Sequence, residues 1–189
     1  MTNYTVLIAN GEFPNNEYCN NILSNNPEII CVDTNQKLIE KLGIKPKIIL
    51  GDLDTANINN ANNSVQIIKL DNQNKTDLEK AFEFCLEEKI NEIVVLGATG
   101  QADDHNLANI LIANKYSKKL NIELISNYFR IMFIKEKKII KTKKNMRVSM
   151  ISLDINNKIS SSGLQYELNH ESLDTCLLYT SPSPRDKRQ

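Results

Sequence analysis

Short apolar runs alternate with stretches of helical periodicity through the first two thirds of the chain. Nearly every position in these runs is apolar and many are β-branched, which predicts strands that are buried on both faces. The six strand candidates are residues 5–10, 28–33, 46–52, 65–70, 91–97 and 122–126. Strands that alternate with helices predict an α/β domain over residues 1–126, with a mostly parallel sheet and helices on both of its faces.

Three helices are predicted between these strands. The clearest covers residues 77–89, where apolar side chains recur at helical spacing and Thr76 and Glu79 match a Thr-x-x-Glu capping box. A second helix is predicted over residues 34–42, with Gly43 as its left-handed cap. A third is expected to begin near Asp104 and to end close to residue 119.

The pattern changes after residue 126, where short alternating runs joined by polar turns predict a separate antiparallel β region over residues 127–174. The expected strands are YFRIMFI, KIIKTK, RVSMISL and LQYEL. Residues 175–189 contain a Ser-Pro-Ser-Pro repeat and a basic ending, which favours a disordered or foreign tail on a truncated natural chain.

Charge and composition exclude several classes of protein. The chain has 23 Lys and Arg against 23 Asp and Glu, so no bulk attraction to nucleic acid or to an anionic membrane is expected. No window approaches the roughly 20 apolar residues that a membrane helix requires. The first residues do not resemble a secretory signal, which predicts a cytoplasmic protein. The cysteines have no metal-binding or disulfide-like spacing and are expected in the core: Cys19, Cys31, Cys85 and Cys176.

Ligands of open parallel sheets bind beyond the carboxyl ends of the strands, where this chain carries many acidic residues. The residues at these ends are Asn10 and Gly11, Asp33, Gly51 to Asp54, Asp71 to Asp77, and Gly97 to His105. Carboxylates gathered at one edge repel one another unless a cation is bound, which predicts Mg²⁺. Asp52 and Asp54 are two positions apart, so an extended backbone would direct both carboxylates to one side, where they could share one metal ion. Alternatively, this Gly-Asp-x-Asp segment is a polar turn after a strand.

The Gly97-Ala98-Thr99-Gly100 segment lies between a predicted strand and a predicted helix. Its glycines have no side chain, so the backbone could approach phosphates closely, and the start of the following helix would supply N–H groups to bind them. It matches neither a Walker loop nor a GxGxxG fingerprint. Asp104 and His105 then follow, either as a helix cap and its neighbour or as ligand contacts.

Three motifs in the same order resemble thiamin pyrophosphokinase. They are Gly51-Asp-Leu-Asp-Thr55, Gln73 to Ala81, and Gly97 to Gly100 followed by Asp104 to Ile110. Residues 160–174 also resemble the second domain of that family.

The resemblance implies a homodimer that transfers diphosphate from ATP to thiamin, with an α/β domain followed by a β-sandwich and thiamin at the dimer interface. It implies Mg²⁺ on Asp52, Asp54 and Asp77, and catalytic roles for Asp33, Asp77 and Asp104. The implied nucleotide contacts are Asn10, Gly51, Gln73, Thr76, Gly97, Thr99, Gly100, His105 and Asn109.

The chain departs from the family pattern at three places. Thr34-Asn35 replaces a Gly-Gly pair, and Gln101-Ala102 replaces the Gly-Arg whose cation would face the phosphates. The family's Ser-Asn segment does not follow Asp174. Three alternatives therefore stay open: a pyrophosphokinase for a pterin alcohol, a non-catalytic nucleotide-binding homologue, and an ordinary α/β domain whose aspartates form turns.

Overall fold

The computed structural model describes residues 4–25, 27–33, 36–51, 65–70, 72, 74–154, 156–173 and 178–182. It divides the chain into two compact units, Met1–Lys135 and Glu136–Gln189. The first unit therefore extends past residue 126, where the sequence pattern changes.

The first unit contains seven strands and four helices among its described residues. The strands are β1 (Thr5–Ile8), β2 (Glu28–Val32), β3 (Ile48–Gly51), β4 (Gln66–Lys69), β5 (Glu92–Leu96), β6 (Asn121–Ile125) and β7 (Arg130–Met132). The helices are α1 (Glu17–Ser24), α2 (Gln36–Leu42), α3 (Asp77–Glu87) and α4 (Asp103–Ser117).

The strands form one sheet in the order β4-β3-β2-β1-β5-β6-β7. Strands β1 to β6 are parallel, and β7 runs antiparallel to β6 as the second strand of a tight hairpin. All six strands predicted from the apolar runs are present. The structure thereby confirms the predicted fold class, a mostly parallel sheet with helices.

Apolar side chains cover both faces of this sheet. Val6 and Ile8 pack on one face with Cys19 and Ile22 of α1, while Leu7 packs on the other face in the cluster of α3 and α4. Burial raises the pKa of the Cys19 thiol to about 11, so the thiol is neutral. Helices therefore lie on both sides of the sheet, as the alternating pattern predicts.

Helix α1 was not among the predicted helices. It has eight residues, and its polar sequence EYCNNILS buries only Cys19 and Ile22. The signal that could have found it is Asn16, whose side chain caps the helix by accepting a hydrogen bond from the Cys19 backbone N–H at 2.9 Å. Gly43, by contrast, ends α2 with φ of +60°, as predicted.

The second unit contains two small antiparallel pairs of strands among its described residues. Its strands are β8 (Arg147–Ile151), β9 (Lys158–Ile159), β10 (Glu171–Ser172) and β11 (Leu178–Pro182). Strand β8 pairs with β11, and β9 pairs with β10. The sequence also predicts strands at residues 138–143 and 164–168, but the structure has none there.

Strand β11 lies within the predicted tail, residues 175–189. All five of its residues pair with β8, and Ser181 is fully buried. The Ser181 side chain also accepts a hydrogen bond from the backbone N–H of Tyr166 at 3.1 Å. Leu178–Pro182 are therefore ordered parts of the second unit, which corrects the prediction of disorder for these residues.

No helix in the part of the chain that the structure describes is long and apolar enough to cross a membrane.

Candidate active site

The carboxyl ends of β1 to β5 lie along one edge of the sheet because these strands are parallel. Asn10 follows β1, Asp33 follows β2, and Gly51 ends β3. Asp77 begins α3 after β4, and Gly97 follows β5. Neighbouring strands are about 4.8 Å apart, so the ends of β2 and β5 are separated by about 10 Å. The predicted residues that the structure describes are thus positioned at one edge.

Three predicted site residues, Asp52, Asp54 and Gln73, lie outside the described residues. Their convergence with Asp77 on Mg²⁺ stays a prediction. Within the described ranges, no group of three His, Cys, Asp or Glu side chains could hold a metal ion. Of the three expected Mg²⁺ ligands, Asp52, Asp54 and Asp77, the structure therefore describes Asp77 alone.

The loop from Gly97 to Gly100 packs closely against the loop after β1. The backbone N–H of Gly11 donates to the Gly97 carbonyl at 2.7 Å. Gly97 has φ of +71°, and a Cβ atom on it would lie 2.7 Å from the carbonyl oxygen of Ala9. Gly97 is therefore required by both its backbone conformation and the closeness of the neighbouring strand.

Two asparagines of α4 hold the same loop from the other side. The Asn109 side-chain amide donates to the Ala98 carbonyl at 2.7 Å, and Asn106 Oδ1 accepts from the Gly100 N–H at 2.9 Å. Asn109 was expected to contact nucleotide, and the structure gives it a bond to the loop. Asn106 was missed; the signal for it is the pair of asparagines at i and i+3 just after a glycine-rich segment.

Further contacts join the loop after β1 to the β6–β7 turn. Glu12 Oε1 accepts from the Asn127 side-chain amide at 2.6 Å, and the Glu12 N–H donates to the Thr99 carbonyl at 3.3 Å. Asn127 Oδ1 in turn accepts from the Asn15 N–H at 2.7 Å. Three loops that are distant in sequence therefore hold one another in place. Glu12 and Asn127 were not predicted, since no local pattern indicates their pairing.

Helix α4 begins at Asp103, after Ala102 as its N-cap, and the Ala102 side chain makes no capping bond. The helix-cap interpretation of Asp104 is therefore wrong. Asp104 Oδ1 accepts from the His105 N–H at 2.8 Å, and both side chains are exposed. A ligand could reach this carboxylate from solvent.

The start of α3 carries one capping bond and one ion pair. Thr76 Oγ1 accepts from the Glu79 N–H at 3.2 Å, which is the first half of the predicted capping box. The Glu79 carboxylate instead accepts from Lys115 of α4 at 2.7 Å. Asp77 Oδ1 lies 2.6 Å from the ammonium nitrogen of Lys80, a buried residue.

Helices α3 and α4 are also joined through Glu83. Its carboxylate binds the Lys75 ammonium and lies 2.9 Å from the Tyr116 hydroxyl. The hydrogen bond from Lys75 lowers the pKa of Glu83, and the bond from Tyr116 lowers it further. Burial and the nearby glutamates raise the pKa of Tyr116. This network fixes the helix that presents Asp77.

Asp33 directly follows β2 in a left-handed backbone conformation, with φ of +46°. Its backbone N–H donates to the Leu50 carbonyl of β3 at 2.8 Å. Aspartate tolerates this conformation better than most residues. Asp33 is therefore positioned at the edge of the sheet where β2 ends.

Comparison with models of known families identifies the family of this chain. The model "Thiamin pyrophosphokinase, catalytic domain" matches residues 19–125, which is more than half of the 189 residues. The chain belongs to the thiamin pyrophosphokinase family. The match extends from α1 to β6 and so includes the loops at the carboxyl edge between them.

A curated relative gives the same family. The chain is 34% identical over 71 residues to Thiamin pyrophosphokinase 1 of Caenorhabditis elegans. The alignment covers 34% of this chain and 29% of that protein, so it spans less than a third of the relative.

Solved structures share the fold. The thiamine pyrophosphokinase of Bacillus subtilis has a TM-score of 0.66 at 22% identity, with 95% of this chain and 89% of that chain covered. A thiamin pyrophosphokinase family protein of Enterococcus faecalis has a TM-score of 0.67 at 16% identity and the same coverage. The thiamin pyrophosphokinase of Candida albicans has a TM-score of 0.64 at 16% identity, with 96% and 83% covered.

Proposed function

We propose that this protein transfers the terminal diphosphate of ATP to thiamin, giving thiamin diphosphate and AMP. The observation that carries the proposal is the position of the Gly97–Gly100 loop, which is held by α4 and by the loop after β1. It lies at the same edge of the sheet as Asp33, which follows β2, and Asp77, which begins α3. Membership of the family supplies the reaction class.

In the proposed reaction, the thiamin hydroxyl oxygen attacks the β-phosphorus of ATP. A new P–O bond forms, the bond from the β-phosphorus to the oxygen that it shares with the α-phosphorus breaks, and AMP leaves with that oxygen. Either Asp33 or Asp104 accepts the hydroxyl proton. Asp104 is exposed, and the bond from the His105 N–H to Oδ1 orients its carboxylate.

Nucleotide binding is assigned to the residues that were expected from the sequence. These residues are Asn10, Gly51, Gln73, Thr76, Gly97, Thr99, Gly100, His105 and Asn109. The Gly100 N–H donates to Asn106 of α4, and the Asn109 amide donates to the Ala98 carbonyl of the loop, so these two bonds shape the loop.

Mg²⁺ is assigned to Asp52, Asp54 and Asp77. The donor chemistry of Asp77 fits, because Mg²⁺ prefers carboxylate oxygens and the Asp77 side chain is 44% exposed. When bound together with ATP, the ion would neutralise phosphate charge.

A homodimer is proposed as well, supported by the exposed apolar side chains of Leu107 and Leu111 on α4. Light scattering coupled to size exclusion tests the dimer. A cytoplasmic location, thiamin contacts within residues 127–174, and the absence of nucleic-acid and membrane partners are further parts of the proposal.

An AMP-release assay tests the reaction. Purified protein receives ATP with thiamin, with a hydroxymethyl-pterin, or with no acceptor, each with Mg²⁺ or with EDTA. We expect AMP only with thiamin and Mg²⁺. AMP release with the pterin alone would contradict thiamin as the acceptor.

A second candidate is a nucleotide-binding protein without turnover. Ala102 favours it, because this exposed N-cap of α4 provides no cation beside the glycine loop. The second candidate predicts that Mg-ATP binds in calorimetry while no acceptor yields AMP. Under the first proposal, Ala102→Arg should increase AMP release, since a guanidinium adds charge-assisted bonds to phosphate.

A further inference from the structure

Lys80 is a buried lysine near the start of α3. Only 8% of it is exposed. An ammonium group that loses its water is costly unless it is paired, so the contacts that retain Lys80 in this position are informative. Lys115, which is 66% exposed and pairs with Glu79, is a useful contrast on the neighbouring helix.

The Lys80 ammonium joins two segments of the candidate site. Its nitrogen lies 2.6 Å from Asp77 Oδ1 and donates to the Leu70 carbonyl at 3.4 Å. Leu70 directly follows β4, and Asp77 begins α3. One charged group therefore links the carboxyl end of β4 to the first turn of the helix.

The two partners of this ion pair differ in their exposure to solvent. Lys80 is buried, whereas the Asp77 side chain is 44% exposed. The Asp77 carboxylate is therefore the more accessible member of the pair at the edge of the sheet, and the lysine lies behind it. This asymmetry is expected of a group that acts through its partner.

We propose that Lys80 is a positioning residue that holds the Asp77 carboxylate in place for the nucleotide site. The inference rests on the proposed function, because that function gives Asp77 its role. It adds a residue whose effect on nucleotide binding and turnover passes through Asp77.

A double-mutant cycle tests this coupling. The variants are Lys80→Met, Asp77→Asn and the combination of both, with Lys115→Met as the matched control that removes an exposed lysine from an ion pair. Calorimetry measures the dissociation constant for Mg-ATP, and AMP release measures kcat and KM. Urea unfolding followed by circular dichroism reports the stability of each variant.

We expect Lys80→Met to weaken Mg-ATP binding or to lower kcat by at least tenfold. The same substitution should change neither quantity in the Asp77→Asn background, because its partner is already neutral. Lys115→Met should behave like the unmodified protein. Equal losses in both backgrounds, or no loss from Lys80→Met alone, would overturn the proposal.

The cycle also separates this proposal from the reaction. If the unmodified protein binds Mg-ATP but releases no AMP, the proposed reaction fails and the binding cycle still decides the role of Lys80. If it binds no Mg-ATP, both proposals are overturned. Should Lys80→Met fail to fold, Lys80→Gln keeps an N–H donor in the buried position, and the same comparison is made with it.

Discussion

The two units of the chain differ in how they bury apolar residues. In the first unit, Leu7 and Phe82 are fully buried in the cluster of α3 and α4, and Val6 and Ile8 are fully buried in the cluster on the other face of the sheet. In the second unit, Ile151 and Leu178 are each 61% exposed, although they pair with each other across β8 and β11. The first unit is therefore stabilised by side-chain packing, whereas the described strands of the second unit rely more on backbone hydrogen bonds.

This difference indicates which unit fixes the geometry of the candidate site. The asparagine contacts of the glycine loop and the ion pair of Asp77 belong to the packed first unit. Accurate placement of a functional side chain requires rigid support beneath it. We therefore expect substitutions in the first unit to affect stability and nucleotide binding together.

The largest effect is expected from a matched pair of core and surface truncations. Phe82→Ala should lower the free energy of unfolding by about 3–5 kcal/mol, because it removes a large, fully buried ring. Ile151→Ala in the second unit should change it by no more than about 0.5 kcal/mol. Urea denaturation measures both variants. Similar losses would mean that Ile151 is covered in solution, and the contrast between the units would be wrong.

A pair of glycine substitutions gives the next largest effect. Gly97 and Gly163 both have positive φ, so alanine should cost each about 1–2 kcal/mol of stability. At Gly97 the new Cβ would also lie 2.7 Å from the Ala9 carbonyl oxygen, which adds about 1–3 kcal/mol, whereas at Gly163 no atom lies within 4 Å. Denaturation should separate the two variants.

The glycine variants also differ in their expected binding. Calorimetry should detect at least tenfold weaker Mg-ATP binding for Gly97→Ala and no change for Gly163→Ala. An unchanged affinity in Gly97→Ala would remove this loop from the nucleotide site.

The smallest effect concerns acid sensitivity. The folded structure lowers the pKa of Glu83, chiefly through the bond from Lys75, so this carboxylate stabilises the fold at neutral pH. That contribution is present above the ordinary glutamate pKa of about 4.3 and is lost as the pH falls through the lower folded value.

Glu83→Gln removes this titration, and the stability of the variant should depend less on pH between about 5 and 3. Thermal unfolding at a series of pH values measures the slope. Glu83 and its partner Lys75 both belong to the first unit, so the change should appear in the unfolding of that unit. An unchanged slope would show that Glu83 is not coupled to folding.

Much of the first unit could be predicted from the sequence because its signals are local. The apolar runs identify six strands, and the helical spacing from Leu78 to Leu86 identifies α3. Helix α1 escaped prediction because a short, polar helix gains its stability from packing against the sheet. Strand β11 escaped because its partner β8 is distant in sequence and its Ser-Pro composition resembles a linker.

The candidate site was predictable in its position but not in its internal bonds. Parallel strands bring Asp33, Asp77 and Gly97 to one edge, which follows from the topology. The bonds that fix the loops depend instead on tertiary neighbours, as the contact between Glu12 and Asn127 demonstrates. Sequence patterns identify residues with suitable chemistry, but they do not indicate whether an amide faces a ligand or a neighbouring loop.

The bond between Glu12 and Asn127 also has a consequence for protein synthesis. A growing chain cannot form it until Asn127 has left the ribosome, by which point β1 to β6 are already outside. Central strand β1 must likewise wait for β5 before it acquires its second neighbour. The proposed nucleotide site should therefore be completed late in translation, after the whole parallel sheet has emerged.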